Sequence, residues 1–428
     1  MKPIKVGLLG LGTVGTGVVR IVENHQEDLK KQVGSEIEIV KIVVSDVNKQ
    51  RSIAVAPDKL TEDAWEVIRN PEIDVIIEVI GGTTTTKEYI VEALNLGKHV
   101  VTANKDLMAL YGGELLEIAQ RNSSDIYYEA SVAGGIPIIR TLVDGFSSDR
   151  ITKIMGIVNG TTNYILTKMT QEGASYADVL KEAQELGYAE ADPTSDVEGL
   201  DAARKMAILA RLGFHTNVDL NDVSVKGISS VTKEDIQYAK RLGYQLKLLG
   251  IAECDENQVS VSVQPTMVSN SHPIASVNGV FNAVLVTGEA VGETMFYGAG
   301  AGELPTATSI VADLVAVSKN MKLGISGKRV NAMYKPTVLK TDEQISSKYF
   351  LLLEVADRAG VLAQITQELA KFDVSLQSVL QQANEHSNTA EIIVITHDAS
   401  KAAITSLLET FNSMDVIHQV KSVYRVEG

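Results

Sequence analysis

Ile4-Lys-Val-Gly-Leu-Leu9-Gly10-Leu11-Gly12-Thr13-Val14-Gly15 opens as a short apolar run, turns through a glycine cluster and leads into Val14 to Leu29, where apolar residues recur at helical spacing. Strand, tight turn and helix in that order begin a βαβ unit. The G-x-G-x-x-G at the junction has a physical reading. Gly10 permits the turn, Gly12 lets a pyrophosphate approach the backbone, and Gly15 lets the helix close on the strand, with the helix N-terminus facing the anion. Gly10, Leu11, Gly12, Thr13, Val14 and Gly15 are therefore the expected dinucleotide loop. A glycine-rich turn of some other α/β protein would also fit the motif alone; the strand before it and the helix after it favour the dinucleotide.

The alternation continues. Strands are predicted at Ile37 to Val44, Val75 to Ile80, Val100 to Thr102 and Ile126 to Tyr128, with helices around Lys87 to Leu96 and Asp106 to Gln120. Apolar strands alternating with helices imply a Rossmann-type parallel sheet covered on both faces, over residues 1–150. From Ile151 the order changes: helices at Tyr176 to Leu186 and Leu200 to Leu212 precede strands at Gln258 to Val263 and Asn282 to Val286, which predicts an α+β substrate domain over 151–302. A glycine-rich turn, Tyr297 to Gly302, leads into a helix from Leu304 to Lys319, and the polar stretch 326–348 reads as a linker. The tail, 349–428, reads strand (Tyr349 to Val355), helix (Val361 to Phe372), strand (Val374 to Gln381), strand (Glu391 to Thr396), helix (Lys401 to Phe411), strand (Val416 to Tyr424). That βαββαβ order is a ferredoxin-like unit. The fold class is α/β, with a Rossmann-type parallel sheet domain, an α+β domain and a C-terminal ferredoxin-like domain.

Composition narrows the function. The 428 residues are 45% hydrophobic and 22% charged, ordinary values for a globular chain of several domains. Lys plus Arg at 39 against Asp plus Glu at 54 leaves a charge of −15, which repels nucleic acid and anionic membrane surfaces. Cys254 is the single cysteine, so neither an intrachain disulfide nor a Cys-rich zinc site is available. No apolar stretch approaches the roughly 20 residues that span a bilayer, and the start lacks the sections of a signal peptide. A cytoplasmic protein is expected.

Several residues carry candidate chemistry. At the end of the second strand, Asp46 would favour NAD by bonding the ribose 2′-hydroxyl, whereas Lys49 and Arg51 would clamp the 2′-phosphate of NADP; NADP is the preferred reading. Lys105, in Val101-Thr-Ala-Asn-Lys105-Asp106, follows the carboxyl end of a parallel strand, where ligands bind in open α/β sheets, although an exposed loop lysine would read the same way. Glu190, Asp192, Asp196, Glu198 and Asp201 crowd the approach to Lys205. Asp201 and Lys205 share a helix face, and the helix is apolar almost all round. Burying two ions costs several kcal/mol each, so stability is a weak reason for such a pair and function competes evenly with an ordinary ion pair. Hydride addition to a carbonyl leaves a developing alkoxide that needs a cation and a proton donor, and a second lysine nearby would depress the pKa of the first. Glu129, beside backbone carbonyls at a strand end, suits a hard cation only weakly. In the tail, Asp357-Arg-Ala-Gly360-Val-Leu362 could hold a small amino acid or serve a dimer interface.

Together these residues resemble homoserine dehydrogenase, in the long bacterial form with a C-terminal ACT domain. The similarity covers essentially the whole chain. It is carried by Gly10 to Gly15, Thr102-Ala-Asn-Lys105, Glu129-Ala-Ser-Val132-Ala-Gly134-Gly-Ile136-Pro137, Val158-Asn-Gly-Thr-Thr-Asn163, and most specifically by the run from Ala189 to Lys205. The resemblance implies NAD(P)-dependent interconversion of L-homoserine and L-aspartate 4-semialdehyde, on the route to threonine, methionine and isoleucine. By motif position it makes Lys205 the proton donor, places Lys105 at coenzyme and substrate, gives Glu190 and Asp201 to homoserine, and sets Gly187 and Gly302 beside the nicotinamide. It implies a structural monovalent cation, of the sodium type, held by Glu129, Val132, Gly134 and Ile136, mostly through backbone carbonyls. It also implies that 303–325 returns to the nucleotide-binding domain, that the central domain builds a homodimer or homotetramer, and that threonine acts at the ACT domain. Ala359 departs from the commoner Asp-x-Pro-Gly of ACT loops.

Two other readings compete. A non-catalytic amino-acid sensor could combine a dinucleotide module with an ACT domain, but would not need Lys105, Lys205 and the acid cluster. A redox-sensing transcription repressor would need a DNA-binding surface, which the −15 charge argues against.

Overall fold

In a computed structural model describing residues 2–328, 335–384 and 387–428, the apolar runs of the N-terminal part line up as one parallel sheet. Its elements are β1 (Ile4–Leu9), α1 (Thr13–Asn24), α2 (Gln26–Val33), β2 (Ile37–Val43), β3 (Leu60–Thr61), α3 (Ala64–Ile68), β4 (Val75–Glu78), α4 (Thr84–Asn95), β5 (His99–Thr102), α5 (Lys105–Arg121) and β6 (Ile126–Tyr127). The strand order is β3-β2-β1-β4-β5-β6, every pair parallel. The order reverses between β1 and β4, and the crevice beyond their carboxyl ends is where such sheets take ligands. One expected helix, Val14 to Leu29, is two: the chain leaves helical geometry at His25 (φ −113°, ψ 22°), and Glu27 and Asp28 suit the fresh N-terminus of α2. Strand β3 is too short to leave an apolar pattern.

Beyond the sheet come α6 (Ile138–Arg140), β7 (Ile151–Ile157), α7 (Gly160–Glu172), α8 (Tyr176–Glu185), α9 (Thr194–Val197), α10 (Leu200–Phe214), β8 (Val223–Val225), α11 (Lys233–Arg241), β9 (Tyr244–Asp255), β10 (Gln258–Ser269), β11 (Phe281–Gly288), β12 (Gly292–Ala299) and α12 (Glu303–Leu323). The tail contains β13 (Val338–Leu339), β14 (Ser346–Ala356), α13 (Val361–Lys371), β15 (Leu376–Ala383), β16 (Thr389–Thr396), β17 (Ala399–Ser400), α14 (Lys401–Phe411) and β18 (Ile417–Glu427). Three expectations need correcting. Strand β10 runs through Pro265 to Ser269 rather than stopping at Val263, with its ladder to β9 kept on both sides of the proline. The turn expected at Tyr297 begins only at Gly300, because β12 pairs with β11 through Ala299. Within the expected linker, Val338–Leu339 pairs with β10, while 329–334 lies outside the described residues.

Contacts divide the chain into two units that cut across the expected boundaries. The first contains residues 1–160, 201–223 and 280–337; the second contains 161–200, 224–279 and 338–428. In the first, β12, β11 and β7 form an antiparallel set, and α12 lies on α1. Gly17 is where that packing requires a glycine: a Cβ there would stand 2.6 Å from the Glu303 carbonyl oxygen and 2.9 Å from Ala307 Cβ. Gly17→Ala would gain about 0.5–1 kcal/mol of helix propensity, but prying backbone apart costs roughly 1–3 kcal/mol. A lower denaturation midpoint is therefore expected, and an unchanged or raised one would show that α12 yields freely.

In the second unit the strand order is β9-β10-β18-β14-β16-β15. Residues 349–428 make a βαββαβ layer with α13 and α14 packed on one face around Leu351, Leu353, Ile365, Ile392 and Leu407. Its last strand pairs in parallel with β10 at Thr266–Arg425, Met267–Val426 and Val268–Glu427, so the tail shares a sheet with β9 and β10. Among the described residues no helix is long and apolar enough to cross a membrane.

Candidate functional site

The turn after β1 is built as its glycines demand. Gly10 has φ +107°, its N–H donates to the Val43 carbonyl (3.0 Å), and a Cβ on Gly15 would lie 2.1 Å from the Gly10 oxygen. Gly12 faces open space. Beside it is a cavity of about 790 Å³ lined by Gly10, Leu11, Gly12 and Thr13 at one end and by Ser45, Lys49 and Arg51 at another, with Val79, Ile80 and Glu303 on a wall. Val14, expected in the loop, packs instead on the apolar core, and Gly15 lies beneath Gly10. Gly302 caps α12 at φ +127°, which brings Glu303 rather than Gly302 itself to the lining. The N-terminus of α1 and the open backbone at Gly12 fit a pyrophosphate. In the β2–β3 loop, Asp46 Oδ1 accepts the Asn48 N–H (2.8 Å), and Glu62, which also lines the cavity, accepts the Val47 N–H (3.0 Å). The Arg51 guanidinium donates to the Asp46, Val47 and Lys49 carbonyls.

Beyond the same carboxyl edge, α5 and α10 bring two lysines to one carboxylate. Asp201, 3% exposed, pairs through Oδ1 with Lys105 Nζ (2.7 Å) and through Oδ2 with Lys205 Nζ (2.7 Å). Lys205 Nζ also donates to the Val158 carbonyl (2.7 Å), and Asn159 Nδ2 donates to Asp201 Oδ2 (2.8 Å). Burial alone would raise the Asp201 carboxyl, but the Lys205 and Lys105 charges overcome it and hold the group well below the usual carboxylate range. The expected Asp201–Lys205 pair is present, and Lys105 joins it on the other carboxylate oxygen, so an anion lies between the two lysines. Asp201, expected to hold substrate, has both oxygens on protein groups. Asn159 is a residue the sequence reading passed over, although it sits in the quoted Val158-Asn-Gly run.

A second buried carboxylate was also missed. Glu78 ends β4, is fully buried, and accepts the Ile80 and Gly81 N–H groups on Oε1 (2.9 and 3.0 Å) and the Thr102 hydroxyl on Oε2 (2.5 Å). Burial pushes its carboxyl up, opposed by the Thr102, Gly81 and Ile80 donors. The signal was available: an acid closing a strand that is otherwise Val75-Ile-Ile.

The loop expected to hold a cation is tightly tied. Both Glu129 carboxylate oxygens accept backbone N–H groups, from Ile139 (2.7 Å) and Arg140 (2.8 Å), and the Gly134 carbonyl accepts the Ser309 hydroxyl (2.7 Å). Ala133 and Gly134 have φ of +54° and +49°, which turns this backbone sharply. Asp313, fully buried, accepts the Glu129 N–H and pairs with Arg140; burial and the Glu129 carboxylate push it up to about 7. With the carboxylate committed to backbone, an ion would draw on the carbonyls of Glu129, Val132, Gly134 and Ile136, of which those of Glu129, Gly134 and Ile136 already accept one bond each, from the Val132 N–H, the Ser309 hydroxyl and the Ile138 N–H. Neutral carbonyls fit a monovalent cation better than a divalent one. Among the described residues no three His, Cys, Asp or Glu side chains cluster as metal ligands.

In the second unit, Gly187 follows α8 at φ +75°, and the next residues are held in place: Thr161 Oγ1 donates to the Tyr188 carbonyl (2.6 Å), Tyr188 packs on the Tyr164 ring, and Gln184 Nε2 donates to the Glu190 carbonyl (3.1 Å). Gly360, at φ +90°, caps α13 in the tail loop.

A dinucleotide cavity at the switch point of a parallel sheet, with ammonium groups rather than a nucleophile and base at the same edge, marks an NAD(P)-dependent oxidoreductase. Comparison with known proteins agrees. The family model described as Homoserine dehydrogenase, NAD binding domain matches residues 10–129, Homoserine dehydrogenase matches 137–315, and ACT domain matches 349–415. Homoserine dehydrogenase of Bacillus subtilis (strain 168) is 57% identical over 430 residues, covering 100% of this chain and 99% of that protein. A crystal structure of a homoserine dehydrogenase from Thiobacillus denitrificans superposes with TM-score 0.94 at 41% identity, covering 100% of this chain and 98% of that one. The S. aureus homoserine dehydrogenase crystal structure at pH 8.5 gives 0.80 at 36%, with full coverage of both chains. The chain belongs to the homoserine dehydrogenase family, and the sensor reading is set aside.

Proposed function

We propose that this chain oxidises L-homoserine to L-aspartate 4-semialdehyde and catalyses the reverse reduction, with NADP(H) as the preferred coenzyme. The observation that carries this reading is the Lys105–Asp201–Lys205 cluster at the carboxyl edge of the dinucleotide sheet. The nicotinamide, when bound, accepts or returns the hydride. As the neutral amine Lys205 takes the hydroxyl proton in oxidation, becoming the ammonium, and as the ammonium it gives that proton to the aldehyde oxygen in reduction. Lys105 lies against coenzyme and substrate, Asp201 orients both ammonium groups, and Glu190 accepts the homoserine ammonium. Gly187 and Gly302 border the nicotinamide. Homoserine-dependent reduction of NADP, followed by absorbance, tests the reading, and an absence of turnover with either coenzyme contradicts it.

Coenzyme choice follows from the β2–β3 loop. Lys49 and Arg51 line the cavity and Asp46 does not, which supports a 2′-phosphate there, with Arg51 also bracing the loop through the Asp46, Val47 and Lys49 carbonyls. A charge-assisted bond is worth about 1.5–3 kcal/mol, so Arg51→Ala is expected to raise the Kd for NADP about tenfold or more and leave that for NAD within about twofold. Equal weakening of both coenzymes would assign Arg51 to the loop alone.

A monovalent cation of the sodium type is read as a structural ion on the Glu129, Val132, Gly134 and Ile136 carbonyls. Dimerisation through the central domain is supported by β12, whose exposed Met295 and Tyr297 lie on one face. The tail is read as a regulatory module binding an amino acid, threonine first among the candidates, and the protein as a cytoplasmic enzyme of threonine, methionine and isoleucine biosynthesis.

A further inference from the structure

The sheet contains one acid at its switch point that no substrate or coenzyme role uses. Glu78 closes β4, opposite Leu9 of β1 on one side and Thr102 of β5 on the other. It is fully buried, yet it makes no ion pair among the described residues; the Ile80 and Gly81 N–H groups and the Thr102 hydroxyl that bond its carboxylate are all neutral donors. A buried carboxylate is expensive unless its acceptors are filled, and here the Thr102 hydroxyl and the Ile80 and Gly81 N–H groups converge on it, with the Asn104 side chain adding to them.

The direction of those bonds is informative. The Asn104 N–H donates to Thr102 Oγ1 (3.0 Å), which leaves the Thr102 hydroxyl hydrogen for Glu78 Oε2 (2.5 Å). The other oxygen collects the Ile80 and Gly81 N–H groups from the β4–α4 turn. The ring then closes, since Asn104 Nδ2 donates to the Gly82 carbonyl (2.7 Å). Asn104 is the N-cap of α5, its Oδ1 accepting the Leu107 N–H (3.0 Å), and the first residue of α5 is Lys105. One turn of this ring therefore carries Ile80, a wall of the dinucleotide cavity, and the other carries the lysine that pairs with Asp201.

We propose that Glu78, acting through Thr102 and Asn104, is a positioning residue that fixes Lys105 relative to the coenzyme wall. The inference rests on Lys105 serving the reaction proposed above. A carboxylate accepts on both oxygens here: a glutamine could keep the two N–H bonds of the β4–α4 turn, but would present N–H to Thr102 Oγ1, which reverses that bond and takes the acceptor away from the Thr102 hydroxyl hydrogen.

The test is kinetic, on the full-length enzyme. Thr102→Val, which removes the hydroxyl at nearly constant volume, and Glu78→Gln are each expected to lower kcat for homoserine oxidation tenfold or more, with the nucleotide Kd within threefold of the parent. Thr102→Ser restores the hydroxyl and is expected within twofold of the parent, which carries the test if Glu78→Gln fails to fold. In a Lys105→Ala background, Thr102→Val is expected to cost less than twofold further, because its effect runs through Lys105. Parental kcat in Thr102→Val, or losses that multiply with that of Lys105→Ala, would overturn the positioning role while leaving the proposed reaction standing. A parent that does not turn over homoserine would overturn both.

Discussion

Lys205→Ala is expected to lower kcat for homoserine oxidation by about 10²- to 10⁴-fold, the range that a positioned general acid or base contributes. Nucleotide affinity should stay within about twofold of the parent, because Lys205 is absent from the dinucleotide cavity. Its Nζ is held by Asp201 and the Val158 carbonyl, so its position is set before substrate arrives. Lys205→Arg should rescue little: guanidinium keeps the charge but does not deprotonate in this pH range. Steady-state kinetics with a nucleotide titration check both parts. A loss confined to KM, with kcat retained, would make Lys205 a binding group instead.

Asp201→Ala should have the largest effect on the folded state. It removes the shared partner of two lysines and leaves Lys205, largely buried, with the Val158 carbonyl alone. Removing one member of a buried ion pair costs about 3–5 kcal/mol, where a surface pair would cost under about 1 kcal/mol. Asp201→Asn keeps the shape and should lose less stability but nearly as much activity, since both ammonium groups lose their anion. The pH dependence has a definite sign. The carboxyl is held below its unfolded value, so its contribution is fully present above the unfolded pKa and is lost as pH falls through the folded one. The stability gap between parent and Asp201→Asn should therefore be flat from neutrality down to about pH 5 and shrink only in stronger acid. Denaturant midpoints across that range measure it; a gap that closes near neutrality would mean Asp201 is not held as an anion between the lysines.

What the sequence made legible divides along physical lines. The strand–glycine turn–helix at Ile4 to Gly15 was readable because Gly10 and Gly15 answer local steric demands and Gly12 leaves the turn open, and Asp201 with Lys205 because residues four apart on one helix share a face. Lys105 was legible as the residue after a strand end, but its pairing with Asp201 joins positions 96 residues apart, and no local pattern encodes that (201 − 105 = 96). Val14 packs its side chain on the apolar core, and the motif does not say which side chains turn inward. Glu78 escaped because it looked like the polar stop of an apolar strand, and only the fold brings Thr102 and the Gly81 turn to its two oxygens. Strand β18 was found as a strand, but its partner β10 lies in another stretch of chain, and pairing between distant strands has no periodic signature.

The measurement that bears most directly on the central claim is homoserine-dependent reduction of NADP by the parent beside Lys205→Ala, with nucleotide binding measured for each. Turnover in the parent that collapses by about two orders of magnitude or more in the variant, at unchanged nucleotide affinity, is the result expected of a dehydrogenase that moves its proton through Lys205. Equal turnover in both proteins, or nucleotide binding with no turnover in either, would contradict it.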